Sequence, residues 1–176
     1  MKTNQGHLSY CSNIHPGEIW AQHFAELQKN VPLVKAQVSP DQAMGLGLRI
    51  ANQASLDLQD PKEFNALKTW LAQENLYVFT LNGFPFGGFH DTIVKDQVHA
   101  PDWTSQDRYD YTLRLAHILA HLLPETEQEG SISTSPISYK YWWDSSAKLA
   151  DATKKGTLAL LALVLALAEL EKSTGK

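Results

Sequence analysis

The sequence predicts an α/β fold in which four strand–helix units form a parallel sheet, and three observations support this. Short apolar runs alternate with longer segments of helical periodicity four times along the 176 residues, which is the pattern of parallel strands joined by crossover helices. The run LYVFTL at residues 76–81 is apolar almost throughout, as in strands that are covered on both faces. A helix-capping pattern stands at residues 60–63.

The first unit begins with the run HLSYCSNI at residues 7–14, which leads into a turn and predicts a strand. The segment PGEIWAQHFAELQKN at residues 16–30 predicts the first helix, because Pro16 stands at its start and apolar residues recur on one face. The segment at residues 31–42 contains prolines and predicts a connection.

The second unit starts with the strand candidate MGLGLRI at residues 44–50. Its helix is predicted to start after Asp60, the N-cap, with Pro61 at the first and Glu63 at the third helical position. In the third unit, the strand at residues 76–81 precedes a helix at about residues 105–123 that carries an apolar stripe.

The fourth unit consists of the strand candidate GSISTSPI at residues 130–137 and a long last helix that ends near residue 171. The most apolar part of this helix, residues 158–168, is shorter than the roughly 20 residues that a membrane-spanning helix needs. We therefore predict a buried helix and no direct insertion into a membrane.

Two architectures fit four such units. One is an open four-stranded sheet, and the other is the first half of a (β/α)8 barrel, because a closed barrel typically needs about 250 residues. In the second case, the first and fourth strands are unpaired edges and apolar inner side chains lack the layers that fill a barrel. That reasoning predicts an unstable or self-associating chain.

Composition narrows the class of partner. The chain has 43% hydrophobic and 19% charged residues, a normal balance for one globular domain over residues 1–176. A formal charge of −4 gives no reason to expect nucleic acid or an anionic membrane, so a small metabolite or a protein is the expected partner. The single cysteine, Cys11, cannot form an internal disulfide, which predicts a reducing, cytoplasmic compartment. We expect Cys11 to be a small buried residue.

Polar side chains follow each predicted strand, and the carboxyl ends of parallel strands share one edge of the sheet, where ligands bind. We expect His15 and His90 to act in proton transfer or as ligands. The expected substrate-binding residues are Asn13, Arg49, Asn82, Tyr139 and Lys140. Phe84, Phe86, Phe89 and Trp103 are expected to form the apolar lining. Ordinary turn chemistry is the alternative explanation for asparagine and proline at these positions.

His117 and His121 are four residues apart on a predicted helix, a spacing that can hold zinc. The glutamate of the zinc-protease motif is missing, because position 118 is Ile118. The sequence therefore favours the strand ends over this helix as the functional site.

Five segments carry a resemblance to a known family: LSYCSNIHPGEIW at 8–20, LGLRIANQA at 46–54, WLAQENLYVFTLNGFPFGGFHDTIVKDQVHAPDW at 70–103, YTLRLAHILAHLLPE at 111–125 and GSISTSPISYK at 130–140. They resemble the N-terminal half of the EboE family of metabolite traffic proteins, which belongs to the xylose-isomerase-like TIM-barrel superfamily. The segments span nearly the whole chain in order, and the segment at 70–103 is the most specific.

The resemblance implies a (β/α)8 barrel related to sugar and sugar-phosphate isomerases and epimerases, which works with other Ebo-type proteins on a small hydroxylated metabolite. It also implies a divalent metal ion, most of whose ligands come from later strands, expected beyond residue 176. Only Asn13, His15, Asn82 and His90 match rim positions in the family-like segments.

Three functions stay open on these grounds. The chain is part of a metal-dependent isomerase or epimerase-like enzyme, a non-catalytic metabolite-binding or carrier module, or an inactive truncated fragment. Removal of metal separates the first two, because a carrier keeps its ligand affinity when an enzyme of this kind loses activity.

Overall fold

A computed structural model describes residues 1–88 and 95–176. The strands are β1 (Lys2–Thr3), β2 (Gly6–His7), β3 (Ser9–Cys11), β4 (Met44–Arg49), β5 (Leu76–Asn82) and β6 (Ser131–Ser133). The helices are α1 (Trp20–Val38), α2 (Asn52–Asp57), α3 (Pro61–Gln73), α4 (Gln106–Leu122) and α5 (Ser146–Thr174). Short 3-10 turns occupy Ser12–Ile14, Lys95–His99 and Lys140–Trp142.

The main sheet has four strands in the order β3, β4, β5, β6, and all three pairings are parallel. The strand order therefore follows the order along the chain, with helices in the connections. This confirms the predicted α/β class. The two N-terminal strands, β1 and β2, form a separate antiparallel hairpin that the sequence did not predict.

One hydrophobic core lies between the sheet and helices α1, α3 and α4. The buried strand residues in this core are Met44, Leu46 and Leu48 of β4, which alternate, and Leu76, Val78 and Leu81 of β5, where a register shift separates the last two. The three helices contribute buried residues such as Leu27, Leu67 and Leu115 to the same cluster. These helices therefore cover a single face of the sheet.

The opposite face, which we call the open face, carries small and polar residues near its carboxyl edge. Cross-strand partners there are Cys11, Gly47, Thr80 and Ser131 in one row and Arg49, Asn82 and Ser133 in the next. The expectation of apolar inner side chains was wrong for this part of the sheet. Cys11 is exposed on β3, so the expectation that it is buried was also wrong.

Helix α1 continues to Val38, so the predicted connection at residues 31–42 was wrong over most of its length. Pro32 lies inside the helix. The helix continues through Pro32 because the stripe of buried residues continues on both sides of it, with Val31 before the proline and Lys35 after it. The ammonium group of Lys35 donates a hydrogen bond to the carbonyl oxygen of Ser39, 3.0 Å away. This bond provides a partner for a carbonyl group at the end of the helix.

Helix α5 departs from its predicted burial. Only Ala152, Gly156, Leu163 and Leu170 are buried along its 29 residues, whereas Leu165 is 64% exposed. The prediction that its apolar segment is buried was therefore wrong for most of the segment. Among the described residues, none of the helices combines the length and the hydropathy that crossing a membrane requires.

Candidate functional site

The carboxyl ends of β5 and β6 are joined by side chains. The side-chain oxygen of Asn82 accepts a hydrogen bond from the Ser133 hydroxyl at 2.6 Å and one from the backbone N–H of Phe84 at 3.2 Å. The second bond is a turn of the kind asparagine forms with its own backbone.

Beside this pair lies a cluster of four rings, Phe84, His99, Tyr139 and Trp142, which we call the aromatic rim. The rings of His99 and Tyr139 stack with centroids 5.1 Å apart and an interplanar angle of 10°. Phe84 lies 5.7 Å from His99, and Trp142 meets both His99 and Tyr139 edge-on. The rim therefore combines the loops that follow β5 and β6, the two loops linked by Asn82 and Ser133.

Polar groups bound the aromatic rim. The indole N–H of Trp142 donates to the carboxylate of Asp96 at 2.7 Å, and this hydrogen bond lowers the pKa of Asp96. Lys140 is exposed, with its ammonium group 4.8 Å from the ring centroid of Tyr141. The predicted binding residues Asn82, Tyr139 and Lys140 are thus brought to the same two loops.

His15, at the end of the first unit's strand, is 6% exposed. Its Nε2 atom shares a hydrogen bond of 2.9 Å with the hydroxyl of Tyr10. Burial raises the pKa of Tyr10, which keeps its phenol protonated. Asn13 is half-buried in the turn between these two residues.

Arg49 is fully buried and joins two loops rather than lying open at the rim. Its guanidinium donates to the Glu18 carboxylate at 2.8 Å, to the carbonyl oxygen of Gly87 at 2.8 Å and to that of Gly17 at 3.3 Å. In the described structure, Arg49 holds the loops after β3 and β5 together. The ion pair with Glu18 could not be predicted from the sequence, because the two residues are 31 positions apart.

A second buried arginine, Arg108 on α4, holds the long loop after β5. It donates to the carbonyl oxygens of Gly83 at 2.7 Å, Phe84 at 3.1 Å and Pro101 at 2.7 Å. Burial lowers the pKa of Arg108. Its place one turn before Tyr111, on the buried side of the helix, is the only signal in the sequence that points to it.

Several other predicted residues lie apart from this arrangement. Trp103 is 1% exposed, and its indole N–H donates to the hydroxyl of Thr134 and to the carbonyl oxygen of Ser135, so it anchors the loop. It also lines the groove between α4 and α5. His117 and His121 are exposed on α4. Phe89 and His90 lie outside the described residues.

Phe86, also predicted as apolar lining, packs edge-on against the ring of Tyr111 with centroids 5.1 Å apart. Residues 1–88 and 95–176 bring together no group of three or more histidine, cysteine, aspartate or glutamate side chains that could hold a metal ion. Comparisons with protein-family models, with curated proteins and with solved structures found no match to this chain.

Proposed function

We propose that the four units form one half of a (β/α)8 barrel of the EboE type. Two features of the fold support this. The strands follow one another in chain order, and helices α1, α3 and α4 cover one face of the sheet. A doubly wound sheet instead reverses its strand order and has helices on both faces, whereas a barrel repeats one right-handed crossover in the same direction.

The function proposed for this chain is binding of a small hydroxylated metabolite at the carboxyl ends of β5 and β6. The observation that carries the proposal is the Asn82–Ser133 pair beside the aromatic rim. Amide and hydroxyl groups exchange hydrogen bonds with ligand hydroxyls, and aromatic faces pack against the ligand's carbon skeleton. Lys140 supplies a positive charge for a ligand that carries an anionic group.

A second candidate, isomerase or epimerase-like catalysis, is favoured by the hydrogen bond between His15 and Tyr10. Two such groups can accept and return a proton during enolisation of a hydroxy-carbonyl compound. The described residues do not fit a divalent metal site, so no step is derived through a metal ion. Other Ebo-type proteins as partners, and a cytoplasmic location based on the single Cys11, remain predictions from the sequence.

Two serines on one strand provide a matched test of the binding site. Ser131 and Ser133 lie on the same face of β6, and each donates to a side chain of β5, to Thr80 at 2.8 Å and to Asn82 at 2.6 Å. Only Ser133 bonds to Asn82, whose side chain also accepts a hydrogen bond from the backbone N–H of Phe84 in the aromatic rim. Binding of a panel of small polyols and hydroxy ketones is measured by NMR titration for the unaltered chain and for Ser133→Ala and Ser131→Ala.

We expect Ser133→Ala to weaken the binding of a panel member about three- to tenfold, the value of one hydrogen bond. Ser131→Ala should leave the affinity unchanged. Equal losses of affinity in both variants would show that the ligand does not bind at the aromatic rim. If no compound of the panel binds, the proposal of a hydroxylated ligand is contradicted. The titration is then repeated in the presence of a metal chelator. Ligand binding by a carrier should be unaffected by the chelator, whereas metal-dependent binding should be lost.

A further inference from the structure

Helix α5 has apolar residues on two opposite sides. Its buried residues Gly156, Leu163 and Leu170 recur every seven positions and face the rest of the chain. Leu158 and Leu161, 56% exposed, and Leu165, 64% exposed, project from the other side of the helix, since successive residues turn by about 100°. Every residue from 158 to 168 is apolar, and a helix that is apolar on all sides is normally covered on all sides.

The exposed side has the spacing of a helix–helix seam. Leu158, Leu161, Leu165 and Ala168 follow one another at steps of three, four and three residues, the alternation by which two helices interlock their side chains. Val164, 59% exposed, lies beside them. Next to the seam, Val164 also lines an apolar groove between α4 and α5 of about 650 Å³. A contiguous apolar surface of this kind on a soluble domain marks an interaction site.

The charges beside the seam indicate what covers it. Lys155 and Glu169 are fourteen residues apart, so they occupy the same position of the seven-residue repeat at opposite ends of the apolar segment. Ala162 lies midway between them. If a second copy of α5 runs antiparallel across Ala162, Lys155 of each copy meets Glu169 of the other, and the pairing occurs twice. In a parallel two-fold pair, the same flanking position of the two copies lies on opposite sides of the seam, so neither ion pair would form.

We propose that two copies of this chain form a two-fold dimer through antiparallel packing of their α5 helices. Leu161 of one copy packs beside Leu165 of the other, as in symmetric interfaces where one surface contacts itself. Within one chain, Lys155 pairs with Asp151 at 3.0 Å and Glu169 with Lys172 at 2.6 Å. These exposed pairs contribute little to stability and do not oppose re-pairing across the dimer.

The first test is sedimentation equilibrium of the full chain over a wide concentration range. We expect a monomer–dimer equilibrium for the unaltered chain, and at least roughly thirtyfold weaker association for Leu161→Glu, the effect of losing a central interface residue. Leu33→Glu is the control, because Leu33 is 64% exposed on α1, and it should associate like the unaltered chain. A chain that stays monomeric throughout, or an equal effect of both variants, would overturn the proposal.

The second test uses charge reversal at exposed positions that leave the fold intact, as checked by circular dichroism. Lys155→Glu and Glu169→Lys should each weaken self-association several-fold, because like charges then meet twice. An equimolar mixture of the two variants restores both opposite-charge pairs in a heterodimer and should associate as strongly as the unaltered chain. A mixture that associates no better than either variant alone would rule out the antiparallel arrangement.

Discussion

Single buried side chains hold the loops that form the rim. Arg49 and Arg108 are both fully buried, and together they donate to five backbone carbonyl oxygens and to the carboxylate of Glu18. A guanidinium group has five N–H donors in one plane, so one side chain can satisfy several loop carbonyls at once. Both arginines therefore position the rim from beneath it.

His23 on α1 shows how burial sets a protonation state near the same loops. The residue is 1% exposed, and its Nδ1 atom lies 3.4 Å from the carbonyl oxygen of Pro16. Burial lowers the pKa of His23 to about 4, with the nearby charge of Arg49 acting in the same direction. The imidazole is therefore neutral in the folded chain at pH 7.

This burial predicts a loss of stability in acid. In the unfolded chain His23 has its ordinary pKa of 6.5, so the unfolded state takes up a proton first as the pH falls. Stability is complete above pH 6.5 and declines toward pH 4, by about 3 kcal/mol. Urea unfolding at pH 7 and at pH 4 measures the decline. His23→Gln cannot titrate, so its stability should fall by about 3 kcal/mol less, and an identical decline in both chains would contradict the prediction.

Among the elements, those with complete local signals were predicted from the sequence. Helix α3 starts where its cap predicted, because the side chain of Asp60 accepts a hydrogen bond from the backbone N–H of Lys62 and Pro61 follows the cap. Helix α4 begins after Ser105, which caps it in the same way. Strands β4 and β5 match their apolar runs within one residue.

Elements that depend on tertiary contacts were predicted incompletely or not at all. The last strand, predicted over residues 130–137, covers only Ser131–Ser133, and α2 (Asn52–Asp57) was not predicted. At the site, the strand-end polar residues Asn82 and Tyr139 could be identified because they follow predicted strands. Arg108 and Glu18 could not, since their role arises from loops that are distant in the sequence.

The continuation of α1 through a proline predicts a stabilising substitution. Pro32 lacks the N–H that would complete the helical hydrogen-bond pattern, and an interior proline costs about 3 kcal/mol relative to alanine. We expect Pro32→Ala to raise the free energy of unfolding in urea by about 1–3 kcal/mol. Pro61→Ala is the matched control, because Pro61 stands at the first position of α3, where proline is favoured. A similar gain in both variants would show that the position in the helix is unimportant.

For the whole molecule, the open face and the two sheet edges decide how copies can associate. Strands β3 and β6 are the edges of the four-stranded sheet. Two copies joined edge to edge would close a barrel and enclose the open face. Two copies joined through α5 would leave that face accessible, because α5 packs against α4 and not on the open face.

The thiol of Cys11 distinguishes these two assemblies. Cys11 is exposed on the edge strand β3, in the row of the open face that also contains Gly47. We expect Ellman's reagent to modify it at the same rate at concentrations below and above the dimerisation midpoint, because the α5 interface lies on the other side of the sheet. The Leu161→Glu variant sets the rate for the monomer, and the chain in urea sets the rate for a fully accessible thiol. A rate about tenfold lower at high concentration, in the unaltered chain and in Leu161→Glu alike, would instead indicate that the copies join through their sheet edges, since enclosure of the open face is what would shield the thiol.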